Sequence, residues 1–383
     1  MRLIHTSDWH LGRTLHGAAL IEDQAHLLEQ FVDLVGQEKP DAVLIAGDVY
    51  DRAVPPTEAI NLLDETLSRL LLDFKLQVVL IAGNHDSAPR LSFGSRLLAA
   101  RGLHILGSPV AIASPLVVTD EHGPVHIYPL PYAEPATVRH LTQREDVQGH
   151  QAAMKVLLEG VWSRHPEGSR SVAMVHCFVT GSATCESERP ISIGGTGSIE
   201  ANVFNGFNYV AMGHLHCPQP CADGRLWYSG SLMRYSFSEV DHDKAVLLID
   251  MDGKGQCAVG KVQLTPRRQV RRIEGYIDQI VAGAAKDNAS DDYLMVTLLD
   301  QGPVFDAMGK LRVVYPNVLH IERPTVSSPS ADGGRVDHRK MDEMQLFGAF
   351  FKEVTGGTLT KAQSAAFVKV ADQVRRAQRE EVE

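Results

Sequence analysis

Residues 78–86 read Val78-Val79-Leu80-Ile81-Ala82-Gly83-Asn84-His85-Asp86, an apolar run that passes directly into polar side chains. Short apolar runs rich in Val and Ile are typical of strands that are covered on both faces. Four more apolar runs lead into polar motifs, which read Asp8-Trp9-His10, Gly47-Asp48, His176 and Gly213-His214-Leu215-His216. In α/β sheets, functional residues gather at the carboxyl ends of such strands. We therefore predict an α/β fold in which these five motifs meet at one edge of a sheet.

The motifs contain a set of ligands that suits a metal centre. Carboxylates, imidazoles and an amide oxygen together favour divalent ions such as Mn, Fe, Mg or Zn. Seven candidates are too many for one tetrahedral ion and are enough for two ions that share a bridging carboxylate; they are Asp8, His10, Asp48, Asn84, His176, His214 and His216. Two such ions would clamp a phosphoryl group and ionise the attacking water. Imidazole-rich ligation without suitably spaced thiolates favours Mn or Fe over a thiolate zinc site.

Length and composition indicate a multidomain protein of a reducing compartment. With 383 residues, of which 44% are hydrophobic, the chain is long enough for two or three domains. We find no signal peptide and no apolar run near the ~20 residues of a membrane span, so we expect a cytoplasmic protein. Five cysteines, an odd number, favour free thiols. Cys217 and Cys221 leave a zinc knuckle as a less favoured alternative, because a second cysteine pair at ligand spacing is missing.

The charge pattern leaves nucleic-acid binding open. The formal net charge of −10 does not indicate a nucleic-acid-binding protein, since such domains are usually basic. It does not exclude one either, because metal ions and local arginine clusters also hold phosphates. Residues 267–272 contain such a cluster, with four arginines in six positions. This segment is either a solvated linker or a surface between domains that contacts phosphate, and both interpretations stay open.

The first 268 residues are predicted to form one domain, a two-sheet β-sandwich flanked by helices. Helix patterns occupy residues 22–36, 57 onward, 91–101 and 134–168. Beyond the five runs above, strand patterns occupy 104–106, 110–113, 116–118, 125–128, 227–232, 245–251 and 258–264. The first four of these indicate the antiparallel part of the second sheet. The loop of residues 177–200 is long enough to be functional or mobile.

Three further segments follow the sandwich. Residues 269–325 show the pattern of a small α+β domain, and residues 326–341 are rich in Ser, Gly and Asp, which is typical of a flexible linker. Residues 342–383 contain two amphipathic helices. Such a terminal pair often packs on a partner. A pair folded back on its own domain explains the pattern nearly as well.

The order and spacing of the five motifs resemble those of the calcineurin-like metallophosphoesterases. The motifs are Asp-x-His, Gly-Asp-x-x-Asp, Gly-Asn-His-Asp, a single His and Gly-His-x-His. Residues 1–12, 47–52 and 82–87 narrow the resemblance to the bacterial SbcD-type nuclease family, and it covers nearly the whole chain. The resemblance implies two metal ions bridged by Asp48, the first held by Asp8, His10 and His216 and the second by Asn84, His176 and His214.

The resemblance also implies a catalytic histidine. It places His85 over the scissile phosphate, where it protonates the leaving oxygen or stabilises the developing charge. A histidine's ordinary pKa of about 6.5 suits proton transfer near neutral pH. Asp86 or a nearby backbone carbonyl is expected to orient this ring. Archaeal relatives have a histidine where Asp51 stands, so we assign Asp51 no catalytic role. His5 is expected in the core or behind the site, and Trp9 in packing.

The same resemblance implies three partners: DNA, an ATPase and a second copy of the chain. In this family the small domain caps the site and helps select DNA, and the terminal helices dock on the coiled coil of an SbcC-type ATPase. The nuclease dimerises, which implies a homodimer within a heterotetramer. The resemblance implies no membrane contact.

The leading hypothesis is a DNA exonuclease and endonuclease that hydrolyses phosphodiester bonds by a two-metal mechanism, with Mn as the metal and Mg or Fe as alternatives. It would process DNA ends and hairpins in repair, recombination and replication. The first alternative is a small-molecule or phosphoprotein phosphoesterase with the same core, against which the cap domain and terminal helices count. The second is a scaffold that docks an ATPase, against which the complete ligand set counts.

Overall fold

The computed structural model describes residues 1–110, 114–188, 197–222, 224–323, 343–355 and 357–380. The chain divides into two compact units, residues 1–271 and residues 272–383. The strands of the first unit are β1 (Arg2–Thr6), β2 (Thr14–Leu15), β3 (Ala18–Ala19), β4 (Ala42–Ile45), β5 (Gln77–Ile81), β6 (Leu103–Leu106), β7 (Leu116–Asp120), β8 (Gly123–Leu130), β9 (Arg170–His176), β10 (Phe178–Val179), β11 (Ser198–Ile199), β12 (Tyr209–Gly213), β13 (Gln219–Cys221), β14 (Leu226–Tyr228), β15 (Val246–Met251) and β16 (Cys257–Val262). Its helices are α1 (Ile21–Glu38), α2 (Thr57–Leu72), α3 (Ala88–Leu91), α4 (Ser95–Ala99), α5 (Pro135–Thr142) and α6 (Gly149–Trp162).

Two six-stranded sheets form the first unit. The first sheet has the order β16-β15-β1-β4-β5-β6, and β1, β4, β5 and β6 run parallel. The second has the order β13-β14-β12-β9-β8-β7, with β14, β12, β9 and β8 parallel and antiparallel strands at both edges. The predicted α/β fold with a two-sheet sandwich is confirmed.

Alternation along the strands explains how the two sheets pack. Successive side chains of a strand point to opposite faces, so residues i and i+2 share a face. Leu3 and Leu44 of the first sheet belong to one buried core with Val172 and Met174 of the second. The intervening residues of β9 face the other way, and Val175 joins a separate core with α6. Strand β9 is buried on both faces, which explains the apolar run of residues 172–175 at its centre.

Three sequence predictions need correction. Residues 103–106 form β6 at the edge of the first sheet, parallel to β5, and do not belong to the second sheet. The pattern of 91–101 is two short helices, α3 and α4, because Gly94 interrupts it with a φ of 72°. The helical segment 134–168 is likewise two helices, α5 and α6, since Gln143 ends α5 in the left-handed conformation.

The second unit contains a small α+β arrangement and a helix pair. Its elements are β17 (Val270–Gly275), which begins just before the boundary, α7 (Ile277–Gly283), β18 (Tyr293–Leu298), α8 (Ala307–Val314), β19 (Val318–Glu322), α9 (Glu343–Thr355) and α10 (Lys361–Glu380). The three strands form one sheet in the order β17-β18-β19. Leu294, Val296 and Leu311 lie in its buried core.

Several sequence predictions concern segments that are only partly described. The predicted linker 326–341 lies outside the described residues, and so do residues 111–113 of the predicted strand 110–113. Within the arginine cluster, Arg267 pairs with Glu22 at 2.6 Å and Arg268 pairs with Asp23 at 3.2 Å, so both arginines are held against α1. All five cysteines lie in described segments and form no disulfide there. No helix in the described part of the chain has the length and apolarity that a bilayer crossing requires.

Candidate metal centre

Five strand ends form the site. The predicted ligands follow β1 (Asp8 and His10), β4 (Asp48), β5 (Asn84), β9 (His176, its last residue) and β12 (His214 and His216). The parallel register of β9 and β12 sets Gly213 directly beside His176. Six of the seven ligands are buried, and Asn84 is half-buried. The prediction that the motifs meet at the edge of a single sheet is wrong, because β1, β4 and β5 belong to the first sheet and β9 and β12 to the second. The structure brings all seven residues together at one edge of the sandwich.

The loops that hold these ligands adopt unusual backbone conformations. Asp8, His10, Asp48 and His214 all have positive φ, between 44° and 110°. Few non-glycine residues adopt such angles, and they persist only where the surrounding structure imposes them. Here the backbone nitrogens of Asp8 and His10 donate to the carbonyls of Gly47 and Asp48, each at 3.0 Å. The backbone nitrogen of His214 donates to the Asp8 carboxylate at 3.1 Å, which ties the second sheet to the first.

The first ligand group comprises Asp8, His10 and His216. One ligand atom from each lies within 4.8 Å of the others, and the Nε2 atoms of His10 and His216 are 3.1 Å apart. His10 Nε2 is also 3.7 Å from Oδ2 of Asp48. A carboxylate and two imidazoles around one point are a suitable donor set for a borderline divalent ion.

The second ligand group comprises Asp48, His176 and His214, which again lie within 4.8 Å of one another. Asn84 adds Oδ1 at 3.1 Å from Nε2 of His176 and at 3.2 Å from Nδ1 of His214. Asp48 Oδ2 lies 3.4 Å from His176 Nε2, so this carboxylate approaches both groups. The geometry suits a bridging carboxylate between two cations.

The hydrogen bonding of His176 tests whether a cation fits. Its Nδ1 donates to the carbonyl of Ala46 at 2.9 Å, which leaves the lone pair of Nε2 directed at the ligand group. That nitrogen then faces Oδ1 of Asn84 and Oδ2 of Asp48, which are both acceptors. Three converging acceptors require a positive charge between them. A divalent cation satisfies this requirement. A proton on the imidazole satisfies it too: burial disfavours the charged ring, but the Asp48 carboxylate outweighs burial and raises the pKa of His176 to about 9.

The electrostatics of the other ligands favour the metal-binding forms of Asp48, His10 and His214 and oppose that of Asp8. Burial, with a smaller contribution from the Asp48 carboxylate, raises the pKa of Asp8 to about 6. Burial also disfavours the charged form of Asp48, but the imidazole of His176 outweighs it and holds the pKa of Asp48 well below its usual range. Burial lowers the pKa of His10 and lowers that of His214 to about 3. Neutral imidazoles and ionised carboxylates are the forms that bind metal.

His85 lies beside the ligands without belonging to either group of metal donors described above. Its Nδ1 donates to the backbone carbonyl of Asp51 at 2.8 Å, and its ring stands edge-on to His10 with centroids 4.7 Å apart. Of the two orienting groups that the sequence suggested, the structure shows the backbone carbonyl. Asp86 instead accepts backbone hydrogen bonds, from Gly83 at 2.9 Å and from the loop after β4.

Asp51 and Arg13 extend the site on the side of His10. An Asp51 carboxylate oxygen is 3.6 Å from Nδ1 of His10 and 3.2 Å from a guanidinium nitrogen of Arg13. Arg13 also donates to the carbonyl of Ser187, in the loop that follows β10. Asp51 therefore holds Arg13 near the ligands, a contact that the sequence did not predict.

Sequence reasoning missed several residues that support the ligands. Gln24 donates to the carbonyls of Trp9 and His10 and to Tyr235, whose hydroxyl also donates to Trp9. Glu239 contacts the imidazole of His216 at 3.1 Å. Neither Gln24 nor Glu239 lies in an apolar segment, so the local sequence offers no signal that marks these residues. His5 is buried and contacts Tyr209 and Met212, and Trp9 packs edge-on against Phe31, as the sequence led us to expect.

Comparisons with known proteins identify the family of this chain. The family described as calcineurin-like phosphoesterase matches residues 1–218, and the Type 5 capsule protein repressor C-terminal domain matches residues 266–355. The SbcD subunit of the nuclease SbcCD from Staphylococcus epidermidis is 33% identical over 364 residues, 95% of this chain and 96% of that protein. Two solved structures align over 68% of this chain: TT1561 of Thermus thermophilus (99% of its length, 13% identity, TM-score 0.39) and a dimetal phosphatase from Danio rerio (98%, 14%, 0.38).

Proposed function

Because this chain belongs to the SbcD family of calcineurin-like phosphoesterases and is a metal-dependent phosphodiesterase, we propose that it is a Mn-dependent DNA exonuclease and endonuclease. The observation on which the proposal rests is the pair of ligand groups, joined by Asp48, with His85 beside them. The 33% identity to a nuclease subunit over 95% of the chain supports DNA as the substrate.

Seven residues would hold two metal ions. Asp8, His10 and His216 form the first site, Asn84, His176 and His214 form the second, and Asp48 bridges them. Two divalent ions in such sites supply Lewis acidity toward the phosphoryl oxygens and an ionised water as nucleophile. Mn suits this mixture of imidazole, carboxylate and amide ligands better than a metal that prefers thiolates.

His85 would exchange the proton of the reaction. The Asp51 carbonyl accepts from Nδ1, so in the imidazolium form Nε2 carries the second proton and is the nitrogen that would donate it to the leaving oxygen, which leaves the ring neutral. The backbone nitrogen of His85 donates to Oδ1 of Asp48 at 2.9 Å, which couples the position of this ring to the bridging carboxylate. General acid catalysis of this kind contributes about 10²- to 10⁴-fold to a rate.

We further propose that the second unit serves DNA selection and assembly. Residues 269–325 would cap the site, and residues 326–341 would link this domain to the terminal helices of residues 342–383. In α9 and α10, Phe347 and Phe367 stack with centroids 4.0 Å apart, while Phe350 and Val370 remain more than half exposed. Exposed apolar side chains on a helix pair suit docking on the coiled coil of an SbcC-type ATPase. The complex would be a heterotetramer that contains a nuclease homodimer and acts in the cytoplasm.

The first experiment measures cleavage of a labelled DNA hairpin by the purified chain with Mn, with Mg and with chelator. We expect Mn-dependent cleavage that Asp48→Ala abolishes. A small aryl phosphodiester assayed in parallel separates the nuclease from a general phosphoesterase. Hydrolysis of the small ester alone, even after an SbcC-type ATPase is added, would contradict the nuclease assignment.

A second experiment isolates the role of His85. We expect His85→Gln to slow DNA cleavage by about 10²- to 10⁴-fold while Mn binding stays near normal. His122→Gln is the matched control, because the side chain of His122 is 47% exposed and its ion-pair partner in the described part of the chain is the exposed Glu121. Cleavage by His85→Gln at the rate of the control would refute the proposed proton transfer.

A further inference from the structure

The imidazole of His216 presents its two nitrogens to different surroundings. Nε2 faces the first ligand group, 3.1 Å from Nε2 of His10. Nδ1 points away from that group, toward Oγ of Ser187 at 2.9 Å and Oε1 of Glu239 at 3.1 Å. Glu239 is completely buried, and it lies in a short 3₁₀ turn, Phe237–Glu239, far from the ligand motifs in sequence.

Only one of these two neighbours can decide which nitrogen carries the proton. A serine hydroxyl both donates and accepts, so Ser187 is compatible with either tautomer of His216. An ionised carboxylate only accepts, so Glu239 requires a proton on Nδ1. Nε2 then keeps its lone pair for a cation, and carboxylate partners of this kind generally orient histidine ligands.

Lys244 keeps Glu239 in place and closes a ring of contacts around His216. Its ammonium lies 2.5 Å from the second carboxylate oxygen of Glu239. The same ammonium donates to the backbone carbonyl of His216 at 2.7 Å and to Ser231 at 2.8 Å. The contacts therefore run from the His216 imidazole to Glu239, to Lys244 and back to the His216 backbone. The imidazole is thereby fixed relative to its own main chain.

The other histidine of this ligand group lacks such a partner among the described residues. Nδ1 of His10 is buried, its nearest carboxylate is Asp51 at 3.6 Å, and that carboxylate is engaged by Arg13. Of the two histidines in the first group, His216 is therefore the one whose ring is oriented by a carboxylate on the side away from the other ligands. We propose that Glu239 is a positioning residue that, with Lys244, holds His216 in the tautomer whose Nε2 binds metal. This inference rests on the proposed function, because it takes His216 to be a metal ligand.

The test measures Mn²⁺ binding to the full-length, chelator-treated protein by equilibrium dialysis. We expect Glu239→Gln to lower the affinity for one of two Mn²⁺ ions by about 10- to 100-fold. The glutamine amide can donate to Nδ1 of His216 and so stabilise the tautomer with the proton on Nε2. Ser187→Ala is the matched control, which removes the other Nδ1 contact and should leave both affinities within about threefold of wild type. His216→Ala should reduce binding to one tight ion.

A second readout needs no metal. Nitrogen chemical shifts of ¹⁵N-histidine-labelled, metal-free wild-type protein report the tautomer of His216, whose signals are identified by their loss in His216→Ala, and we expect the proton on Nδ1. A proton on Nε2 in the wild type would overturn the inference, and so would wild-type affinity of Glu239→Gln for both ions. If Glu239→Gln binds normally while His216→Ala loses an ion, this inference alone fails. If His216→Ala keeps both ions, the ligand assignment of the proposed function fails with it.

Discussion

Gly83→Ala should damage the metal centre through one methyl group. Gly83 follows β5 and lies against Asp48, the proposed bridging ligand. A Cβ added at residue 83 would lie 2.7 Å from Cγ of Asp48 and would also meet the backbone nitrogen of that residue. The φ of Gly83 is outside the left-handed region, so alanine is compatible with the local backbone. The steric contact is therefore the whole perturbation.

The distance gives the size of the effect. Ordinary contacts of a Cβ begin at 3.4 Å, so the Cγ contact alone requires a shift of about 0.7 Å. Oδ1 and the backbone nitrogen of Asp48 lie closer still, so the carboxylate or the loop of Gly83 must shift by about 1 Å or more. Asp48 has little room, because its Oδ1 accepts from His85 and its Oδ2 faces His176. A misplacement near 1 Å costs on the order of 100-fold in rate, so we expect a loss of roughly 10- to 100-fold in kcat/KM.

The assay is Mn-dependent hydrolysis of an aryl phosphodiester and of a DNA hairpin, with thermal unfolding measured on the same samples. Gly283→Ala is the control, since no atom of the described residues lies within 4 Å of a Cβ at residue 283, at the end of α7. It should leave kcat/KM unchanged. If Gly83→Ala retained activity within threefold of this control, Asp48 would not need its observed position, and the bridging role would be wrong.

Three further predictions concern stability. His5 is buried and its pKa is lowered to about 3, so below pH 6.5 its imidazole takes up a proton in the unfolded chain and stays neutral in the folded chain. In urea unfolding with chelator, this group should make the unfolding free energy about 2 kcal/mol lower at pH 5 than at pH 7. His5→Gln should remove that difference. Asp120 pairs with the Met1 ammonium at 2.9 Å and with Arg170. Asp120→Asn should therefore lower the unfolding free energy by about 3 kcal/mol in the same assay. A loss below about 1 kcal/mol would show that the two ion pairs are solvated. Free Mn²⁺ at 100 times its dissociation constant should add about 2.7 kcal/mol per ion to the unfolding free energy, and chelator should reverse the gain; an unchanged midpoint would argue against metal binding to the folded state.

Much of the candidate site could be predicted from the sequence, because each motif spans only a few neighbouring residues. A run such as residues 78–82 predicts a strand buried on both faces, and the polar residues after it predict the carboxyl end of a parallel sheet. The residue types then limit the chemistry to divalent metals. The role of His85 came from the family resemblance, which rests on the same motifs.

The residues that were missed act across long distances in the sequence. Glu239 reaches His216 only because the 3₁₀ turn 237–239 packs behind the first ligand group, and nothing near residue 239 marks that contact. Arg13 reaches Ser187 through a contact between residues 174 positions apart. The edge position of β6 was equally hidden, because strand patterns show burial and not the neighbour with which a strand pairs.

By itself, the sequence determined the α/β class, the strands that end in polar motifs and the seven candidate ligands, since each depends on periodicity and residue type within a few positions. Only the tertiary structure decided that these motifs divide between two sheets, so that His176, His214 and His216 of the second sheet meet Asp8, Asp48 and Asn84 of the first. Burial of the apolar faces between the two sheets brings those strand ends together, and the identity of the residues that support each imidazole follows from that packing.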